Sequence, residues 1–256
     1  MDRLVLFDID CTLVDAHGAG GRAILRAIKD VYGAEGELGD YSFHGRTDPG
    51  IIADLAGLWG GGDPGEVAAG HEGETQPQVV HGLAERLGAP AGRIERLVDD
   101  CIARYVELLQ DEIARVEVEI LPGIKELVTA LAADRRALVG LLTGNVVEGA
   151  RLKLEPTGLF PLFKVGAYGS DSALRADLPA IAVARAEARD GRRYAGKDIV
   201  VIGDTPADVQ CGASLGVTAI AVATGRHTVD ELAAHAPDHL FADLSDWRAG
   251  HSAIIG

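Results

Sequence analysis

Short apolar runs alternate with amphipathic stretches over the second half of the chain, and one such run also opens it. Runs rich in Val, Ile and Leu indicate strands that are buried on both faces. They cover residues 4–7, 137–142, 162–167, 198–203 and 217–222. Helical spacing of apolar residues predicts helices at 124–131, 146–154, 177–189 and 206–215. Strands that alternate with helices predict an α/β fold, a doubly wound parallel sheet of the Rossmann-like type.

A block that needs no strand separates the first predicted strand from the others. Its apolar residues recur at helical spacing over 23–32, 51–58 and 94–108, whereas 64–82 is polar and weakly patterned. We therefore predict a core domain made of residues 1–15 and 118–256, with an all-helical cap domain, 16–117, inserted between them. The tail after residue 228 is expected to pack on the sheet.

The charge balance narrows the range of partners. The 256 residues include 39 acidic and 24 basic side chains, which gives a net charge of −15. Such a surface disfavours nucleic acid and anionic membrane, but a local cation still permits an anionic small molecule. The three cysteines (Cys11, Cys101 and Cys211) are far apart and lack metal-binding spacing, which indicates a reducing compartment. With no signal-peptide pattern and no apolar run of transmembrane length, we expect a cytoplasmic protein.

Polar groups follow three of the predicted strands at the point where each strand ends. Asp8 and Asp10 follow the first strand, Thr143 follows the second, and Asp204 and Asp208 follow the fourth. The carboxyl ends of parallel strands share one edge of the sheet, where ligands of open α/β sheets bind. Clustered carboxylates need a compensating cation, and oxygen ligands of this kind suit Mg²⁺. The pattern predicts a magnesium site in which a carboxylate can attack phosphorus.

These positions resemble the motifs of the haloacid-dehalogenase-like (HAD) hydrolases. Residues 8–15 resemble the first motif of that family, Thr143-Gly144-Asn145 the second, and residues 203–208 the fourth. The resemblance extends over essentially the whole predicted core. It is closest to the helical-cap group that contains phosphoglycolate phosphatase and β-phosphoglucomutase. It implies a HAD core with an inserted cap and the activity of a phosphoric monoester hydrolase.

The resemblance also implies a role for each motif residue. Asp8 would be the nucleophile that forms an aspartyl-phosphate, and Asp10 would be the general acid and base. Mg²⁺ would be held by the Asp8 carboxylate, the Asp10 backbone carbonyl and the Asp204 carboxylate, while Asp208 would orient waters beside the metal. The phosphoryl oxygens would be bound by the second motif: the Thr143 hydroxyl and the backbone N–H groups of Gly144 and Asn145.

The first motif departs from the family at Cys11, where glycine is usual because the backbone turns sharply beside the phosphate. The favoured interpretation is that this cysteine simply replaces the glycine. A redox role for its thiol is the alternative.

The third motif departs further, because the family's lysine after the third strand is missing from 171–179. That lysine would neutralise the phosphoryl group and the nucleophile. Among the five lysines of the chain, Lys153 lies on the helix that follows Thr143, and its long side chain could reach back to the helix start. We predict Lys153 for this role, with Arg175 as the rival and a solvated Lys153 as the remaining possibility.

A loop of the predicted cap is the candidate for substrate specificity. Within residues 44–48, His44 and Arg46 could touch the leaving group, and Arg46 could bind a carboxylate or a second phosphate bidentately. The alternative is that Arg46 pairs with Asp48, which, like Thr47, is also a candidate cap for the following helix. His17 is expected to be a plain hinge residue.

The leading hypothesis is a Mg²⁺-dependent phosphatase that acts on a small phosphorylated metabolite. A β-phosphoglucomutase-like phosphotransferase and a catalytically inactive binding module are the alternatives. Dehalogenase chemistry is disfavoured, because the dehalogenases of this family lack the second aspartate of the first motif and Asp10 is present. Phosphonate cleavage needs a cap lysine that forms a Schiff base, and Lys29, the one candidate, has no feature that marks it for this role. The substrate is left open as a small-molecule phosphate ester, and the expected state is a monomer or a homodimer.

Overall fold

The computed structural model describes residues 2–39, 41–59 and 91–256, with side chains from residue 97 onward in the last range. The polar segment predicted at 64–82 lies outside the described residues. The described strands are β1 (Arg3–Phe7), β2 (Val14–Asp15), β3 (Glu119–Ile120), β4 (Ala137–Leu142), β5 (Val165–Ala167), β6 (Ile199–Gly203), β7 (Thr218–Val222) and β8 (His239–Phe241). The described helices are α1 (Ala19–Tyr32), α2 (Asp48–Trp59), α3 (Ala91–Ile113), α4 (Ile124–Ala133), α5 (Val147–Leu154), α6 (Leu178–Asp190), α7 (Pro206–Cys211), α8 (Val229–Ala233) and α9 (Trp247–Ile255).

Six of these strands form a parallel sheet in the order β5–β4–β1–β6–β7–β8. β1 lies near the middle, and its side chains alternate between two apolar clusters because successive strand residues point to opposite faces. Val5 and Phe7 pack with α4 and α9, whereas Leu4 and Leu6 pack with α6. Because β1 is covered on both faces, its sequence is a continuous apolar run. The parallel sheet with helices on both faces confirms the predicted doubly wound α/β fold.

The sheet differs from the prediction in its short elements. The third strand is limited to Val165–Ala167, because residues before it form a 3₁₀ turn around Pro161. The helix expected at 206–215 ends at Cys211, and a separate turn follows Gly212. The tail does pack on the sheet, but as a sixth strand, β8. It has three residues at an edge and an exposed His239, so no apolar run marks it.

A two-stranded antiparallel ribbon, absent from the prediction, joins the two places where the chain leaves and re-enters the sheet region. Val14 pairs with Ile120 and Asp15 with Glu119, and the Leu121 N–H donates to the Leu13 carbonyl at 3.0 Å. The ribbon closes the base of the segment between β2 and β3.

The described part of that segment consists of helices with an apolar cluster of its own. α1 packs along α3, and α2 packs against both. The cluster includes Ile24, Ile28, Ile52 and the fully buried Tyr105. α2 begins at Asp48, and the Thr47 hydroxyl caps it by accepting the Gly50 N–H at 3.2 Å. No helix among the described residues is long and apolar enough to span a membrane.

Candidate active site

The predicted strand-end residues meet at one edge of the sheet. β1 pairs with β4 on one side and with β6 on the other, so Asp8 lies between Thr143 and Asp204. The Asp8 N–H donates to the Ile202 carbonyl at 2.9 Å, which extends the sheet hydrogen bonding as far as Asp8. The placement therefore follows from the register of three neighbouring strands.

Three buried carboxylates lie together at this edge. One oxygen each from Asp8, Asp204 and Asp208 lies within 4.8 Å of the other two. Burial raises the pKa of Asp8 to about 7, with the negative charges of Asp208 and Asp10 adding to the shift. Burial, followed by Asp208 and Asp8, raises the pKa of Asp204 to about 9. Ionising several buried carboxylates side by side costs free energy, and a bound cation would lower that cost, so the cluster is a candidate cation site.

Asp204 supplies an independent test of whether a metal fits. The residue is 1% exposed. Its Oδ1 accepts the Thr12 hydroxyl at 3.3 Å, whereas Oδ2 is buried without a hydrogen-bond partner among the described residues. An orphaned buried carboxylate oxygen beside two other carboxylates suits a hard divalent cation such as Mg²⁺. Asp208 belongs to this cluster as well. The sequence analysis predicted that it orients waters beside the metal and did not name it as a direct ligand.

Arg175 is the cation that contacts Asp8. Its guanidinium Nη2 donates to Asp8 Oδ1 at 3.0 Å and also pairs with Asp208 Oδ1. The side chain is 9% exposed, and it comes from the 3₁₀ turn Arg175–Asp177 that precedes α6. The sequence analysis had preferred Lys153 for this position. In the structure it is Arg175 that contacts Asp8, because the turn before α6 directs its side chain there, and which of the two cations neutralises a phosphoryl group stays a prediction.

Lys153 is in the site as well, but it faces the other aspartate. Its Nζ lies 2.7 and 2.8 Å from the two carboxylate oxygens of Asp10 and 2.6 Å from Asn145 Oδ1. Burial opposes ionisation of Asp10, but the charge and hydrogen bond of Lys153, together with the hydrogen bond from Asn145, outweigh burial and lower the pKa of that carboxyl. Lys153 is 4% exposed, which excludes the solvated interpretation. Gly20 makes room for it, since a Cβ there would lie 3.1 Å from Nζ.

Asn145 has a larger part than the sequence indicated. Its side-chain amide donates to Asp10 Oδ2 at 2.8 Å and to the Thr143 hydroxyl at 2.9 Å. Its backbone N–H, expected to face phosphate, reaches Thr143 Oγ1 at 3.3 Å. Asn145 therefore links Thr143, Asp10 and Lys153 into one network. The prediction considered its backbone, and only the structure could reveal the side-chain contacts.

Comparison with known proteins agrees with this architecture. Residues 172–247, which include Arg175, Asp204 and Asp208, match the family model described as HAD-hydrolase-like. The structure of CbbY from Rhodobacter sphaeroides in complex with phosphate aligns with a TM-score of 0.61 at 18% identity, covering 96% of each chain. The chain has the HAD-like hydrolase fold.

Two further structures share this HAD fold over nearly the whole chain. A predicted phosphoglycolate phosphatase from Haemophilus somnus aligns with a TM-score of 0.58 at 20% identity, covering 97% of each chain. A putative β-phosphoglucomutase from Bacteroides vulgatus aligns with a TM-score of 0.58 at 19% identity, covering 99% of this chain and 88% of that one. No curated protein sequence matches the chain. The resemblance inferred from the motifs is confirmed.

The loop before α2 docks onto the second motif of the HAD core. The Asp48 N–H donates to the Gly144 carbonyl at 2.7 Å, and Asp48 Oδ2 accepts the Val146 N–H at 2.9 Å. The Thr47 hydroxyl donates to the Ala173 carbonyl at 2.8 Å. Gly144 is required here, because a Cβ would lie 2.0 Å from the Arg46 carbonyl oxygen.

Asp48 is therefore a site-adjacent residue that the sequence analysis treated as a helix cap or an arginine partner. It is buried at the N-terminus of α5, the helix that carries Lys153. Burial raises its pKa to about 6, against the opposing effects of Lys153 and the Val146 N–H. No signal in the sequence alone singles out this contact, because it joins segments about a hundred residues apart.

The predicted specificity residues are close to the site, but Arg46 has a different partner. Its Nη1 lies 2.6 Å from Asp54 Oδ2, and its guanidinium lies 5.0 Å from the centre of the Tyr41 ring. The alternative that pairs it with Asp48 is wrong. Burial, followed by the charge of Arg226, lowers the pKa of His44.

His17 is exposed, and its Nδ1 lies 3.4 Å from Asp15 Oδ2 in the ribbon. Lys29 lies in the last turn of α1, where it is exposed and paired with Glu35 at 2.7 Å. It does not line the cavity, which weakens the case for Schiff-base chemistry.

These groups enclose a cavity of about 240 Å³ between the sheet edge and the helices of the inserted segment. Asp8, Asp10, Lys153 and Arg175 form its polar floor. The opposite wall contains Ile24, Ile51 and Phe43 together with His44 and Arg46. The cavity can take a small anion on its floor and a compact organic group above it.

Cys11 lies at the rim of this cavity in the left-handed backbone region that glycine normally occupies, with φ of 57°. The Thr224 hydroxyl donates to its carbonyl at 2.5 Å. Burial, followed by the charges of Asp204 and Asp10, raises the pKa of its thiol to about 12. A thiol that is protonated at neutral pH is a poor nucleophile, which disfavours the redox alternative.

Proposed function

We propose that the chain is a Mg²⁺-dependent phosphatase that hydrolyses a small phosphorylated metabolite through an aspartyl-phosphate on Asp8. The observation that carries this proposal is the position of Asp8, between the Arg175 guanidinium and two buried carboxylates on the floor of the cavity. A carboxylate beside a guanidinium and a bound metal ion can attack phosphorus, because these two cations neutralise the charge of the incoming phosphate.

The metal would be held by Asp8 and Asp204, with the Asp10 backbone carbonyl as the third protein ligand and Asp208 positioning the waters around it. Bound there, Mg²⁺ would supply charge neutralisation for the phosphoryl group. It would also remove the need for Asp8 and Asp204 to take up protons, since a nearby cation favours the charged form of both.

Asp10 is the proposed general acid and base. Lys153 holds it as a carboxylate, the form that can accept a proton from the attacking water. A phosphoryl dianion bound beside Asp10 would raise its pKa and draw Lys153 toward the phosphoryl oxygens, so that Asp10 can donate a proton to the leaving alcohol. Asn145 keeps the carboxylate oriented through both states.

The phosphoryl oxygens would lie against the Thr143 hydroxyl, the N–H groups of the second motif and Arg175. The rest of the substrate would face His44 and Arg46. Arg46 is already engaged by Asp54 and by the Tyr41 ring, so a substrate would bind those N–H groups of its guanidinium that face the cavity. The cavity of about 240 Å³ favours a small metabolite.

We also propose the domain division that the sequence indicated, with a core of residues 1–15 and 118–256 and a cap of residues 16–117. The substrate would be enclosed between them. A cytoplasmic location is consistent with three unpaired cysteines.

The decisive experiment is hydrolysis of p-nitrophenyl phosphate with Mg²⁺, with EDTA as the metal-free condition. Asp8→Asn should reduce turnover by at least about 1,000-fold, because an amide cannot form the acyl-phosphate. Asp111→Asn is the matched control, since Asp111 is exposed on α3 away from the cavity, and it should keep wild-type activity. An active Asp8→Asn protein would refute the nucleophile assignment.

The fold likeness to a putative β-phosphoglucomutase keeps a phosphotransferase as the second candidate. A transferase would require a bisphosphorylated sugar and would release its aspartyl-phosphate to water slowly. Tight Mg²⁺ binding without turnover on a broad panel of phosphate esters would instead indicate an inactive binding module.

A further inference from the structure

A second group of metal-ligating side chains lies beside the proposed magnesium site. Cys11, His44 and Asp204 each place one ligand atom within 4.8 Å of the other two. They come from three segments: the turn after β1, the loop before α2 and the end of β6. All three line the cavity, so solvent and ions can reach the group.

The donor set differs in kind from that of the magnesium site. A thiol and an imidazole are softer ligands than carboxylates, and together with one carboxylate they suit Zn²⁺ rather than Mg²⁺. Tetrahedral ligation at about 2.0–2.3 Å separates ligand atoms by roughly 3.3–3.7 Å. Because the three atoms lie within 4.8 Å of one another, their side chains would need to close by at most about 1.5 Å, with water as the fourth ligand.

The unpartnered carboxylate oxygen of Asp204, which also borders the magnesium site, points to a ligand at this place. Asp204 is 1% exposed and its Oδ2 has no hydrogen-bond partner among the described residues. This orphaned oxygen lies on the side of Cys11, because a Cβ built on Gly225 would lie 1.9 Å from Asp204 Oδ2 and 3.2 Å from Cys11 Cβ. Glycine at 225 leaves open the space that both side chains border.

The surrounding charge also favours a cation. Asp8, Asp10 and Asp15 lie close enough to Cys11 to act on its charge, and Arg226 is the opposing group near His44. Cys11 itself lies in the turn after β1 with a φ of 57° and lines the cavity.

We propose that Cys11, His44 and Asp204 form a Zn²⁺ site that inhibits the enzyme. Binding forms a Zn–S bond and releases the thiol proton to solvent, with no change of oxidation state. Asp204 belongs to both groups, so Zn²⁺ would withdraw a ligand from the magnesium site. His44 would at the same time tie the loop before α2 to the core. The inhibitory consequence rests on the proposed phosphatase function, whereas the binding site itself does not.

The test uses Co²⁺ as a spectroscopic substitute for Zn²⁺. A thiolate ligand gives Co²⁺ a strong charge-transfer absorption in the near ultraviolet, which an all-oxygen site cannot produce. We expect this absorption in the wild-type protein and its loss in Cys11→Gly, a change that suits the positive φ of Cys11. Cys101→Ala is the matched control, since Cys101 is fully buried among the inserted helices, and it should keep the band.

Binding and inhibition by Zn²⁺ complete the test. Calorimetric titration should show at least tenfold weaker Zn²⁺ binding in Cys11→Gly and in His44→Ala than in the wild type. The Zn²⁺ concentration that halves each protein's own uninhibited rate should rise by a similar factor, and more Mg²⁺ should relieve inhibition of the wild type.

Absence of the charge-transfer band in the wild type, or its persistence in Cys11→Gly, would overturn the site. A protein without phosphatase activity that still shows the band would refute the proposed function and leave the site intact. Circular dichroism of each variant separates loss of ligation from loss of folding.

Discussion

At the scale of single residues, the site distributes two cations between two aspartates. Arg175 contacts Asp8 and also Asp208, whereas Lys153 contacts Asp10, so the two aspartates have different cationic partners. The sequence analysis looked for one lysine and weighed the two candidates as rivals. Each candidate could be found from the sequence, but their targets depend on how a turn and a helix are oriented, which no local pattern encodes.

Replacing Arg175 should test its contact with Asp8, the proposed nucleophile. Arg175→Ala removes the charge that faces Asp8 and Asp208, and we expect kcat/KM to fall by about 100- to 1,000-fold. Arg175→Lys keeps the charge but loses the planar fork, so its loss should be about tenfold. Steady-state kinetics on p-nitrophenyl phosphate provides the measurement.

Arg185→Ala is the control for this pair, because Arg185 is also on the α6 side of the fold but binds Asp171 outside the cavity. It should leave kcat/KM within about twofold of the wild type. The role of Arg175 would be contradicted if both of its variants behaved like this control.

At the scale of elements, long periodic segments were predictable and short ones were not. The apolar run of β1 and the helical spacing of α3 were evident because each buries a continuous face. β2, β3 and β8 have two or three residues each, and they exist because a partner strand pairs with them. The docking of Asp48 on α5 is missed for the same reason, since it depends on two elements meeting in space.

That docking contact should depend on pH. Burial raises the folded-state pKa of Asp48 from 3.8 to about 6, so the folded protein holds this proton more tightly than the unfolded chain does. Its contribution to stability is therefore greatest below pH 4 and is lost as the pH rises through about 6. In Asp48→Asn, a neutral amide keeps an oxygen for the Val146 N–H and does not titrate.

We expect Asp48→Asn to be more stable than the wild type at pH 8 by about 1–3 kcal/mol, and to lose that advantage at pH 4. Urea unfolding at several pH values, in EDTA, measures the difference. The Asp111→Asn variant should follow the wild-type pH curve. Parallel curves for Asp48→Asn and the wild type would show that Asp48 titrates normally.

At the scale of the whole molecule, a chain with a net charge of −15 concentrates several buried carboxylates at one edge of its sheet. The strand-end pattern was enough to predict that concentration, because parallel strands place their carboxyl ends together. What it could not supply was the degree of burial, which makes the cluster costly without a cation. Metal binding is therefore expected to stabilise the fold as well as to support the chemistry.

We expect Mg²⁺ at about 100 times its dissociation constant to add roughly 2.7 kcal/mol to the free energy of unfolding. For a chain of this size that corresponds to a rise in Tm of about 5–10 °C. The rise should be larger at pH 8 than at pH 5, because at the lower pH protons compete for Asp8, whose pKa is about 7, and for Asp204, whose pKa is about 9. Calorimetric melting in Mg²⁺ and in EDTA measures the shift.

Two controls separate specific binding from general screening of an acidic surface. NaCl at matched ionic strength weakens surface repulsion without entering the carboxylate cluster, and it should raise Tm by much less than Mg²⁺ does. Asp204→Asn removes a carboxyl that burial makes costly to ionise, so it should abolish most of the Mg²⁺ effect and raise the Tm of the metal-free protein at pH 8. Equal shifts with NaCl and Mg²⁺, or an undiminished Mg²⁺ shift in Asp204→Asn, would mean that the buried carboxylates do not bind the metal.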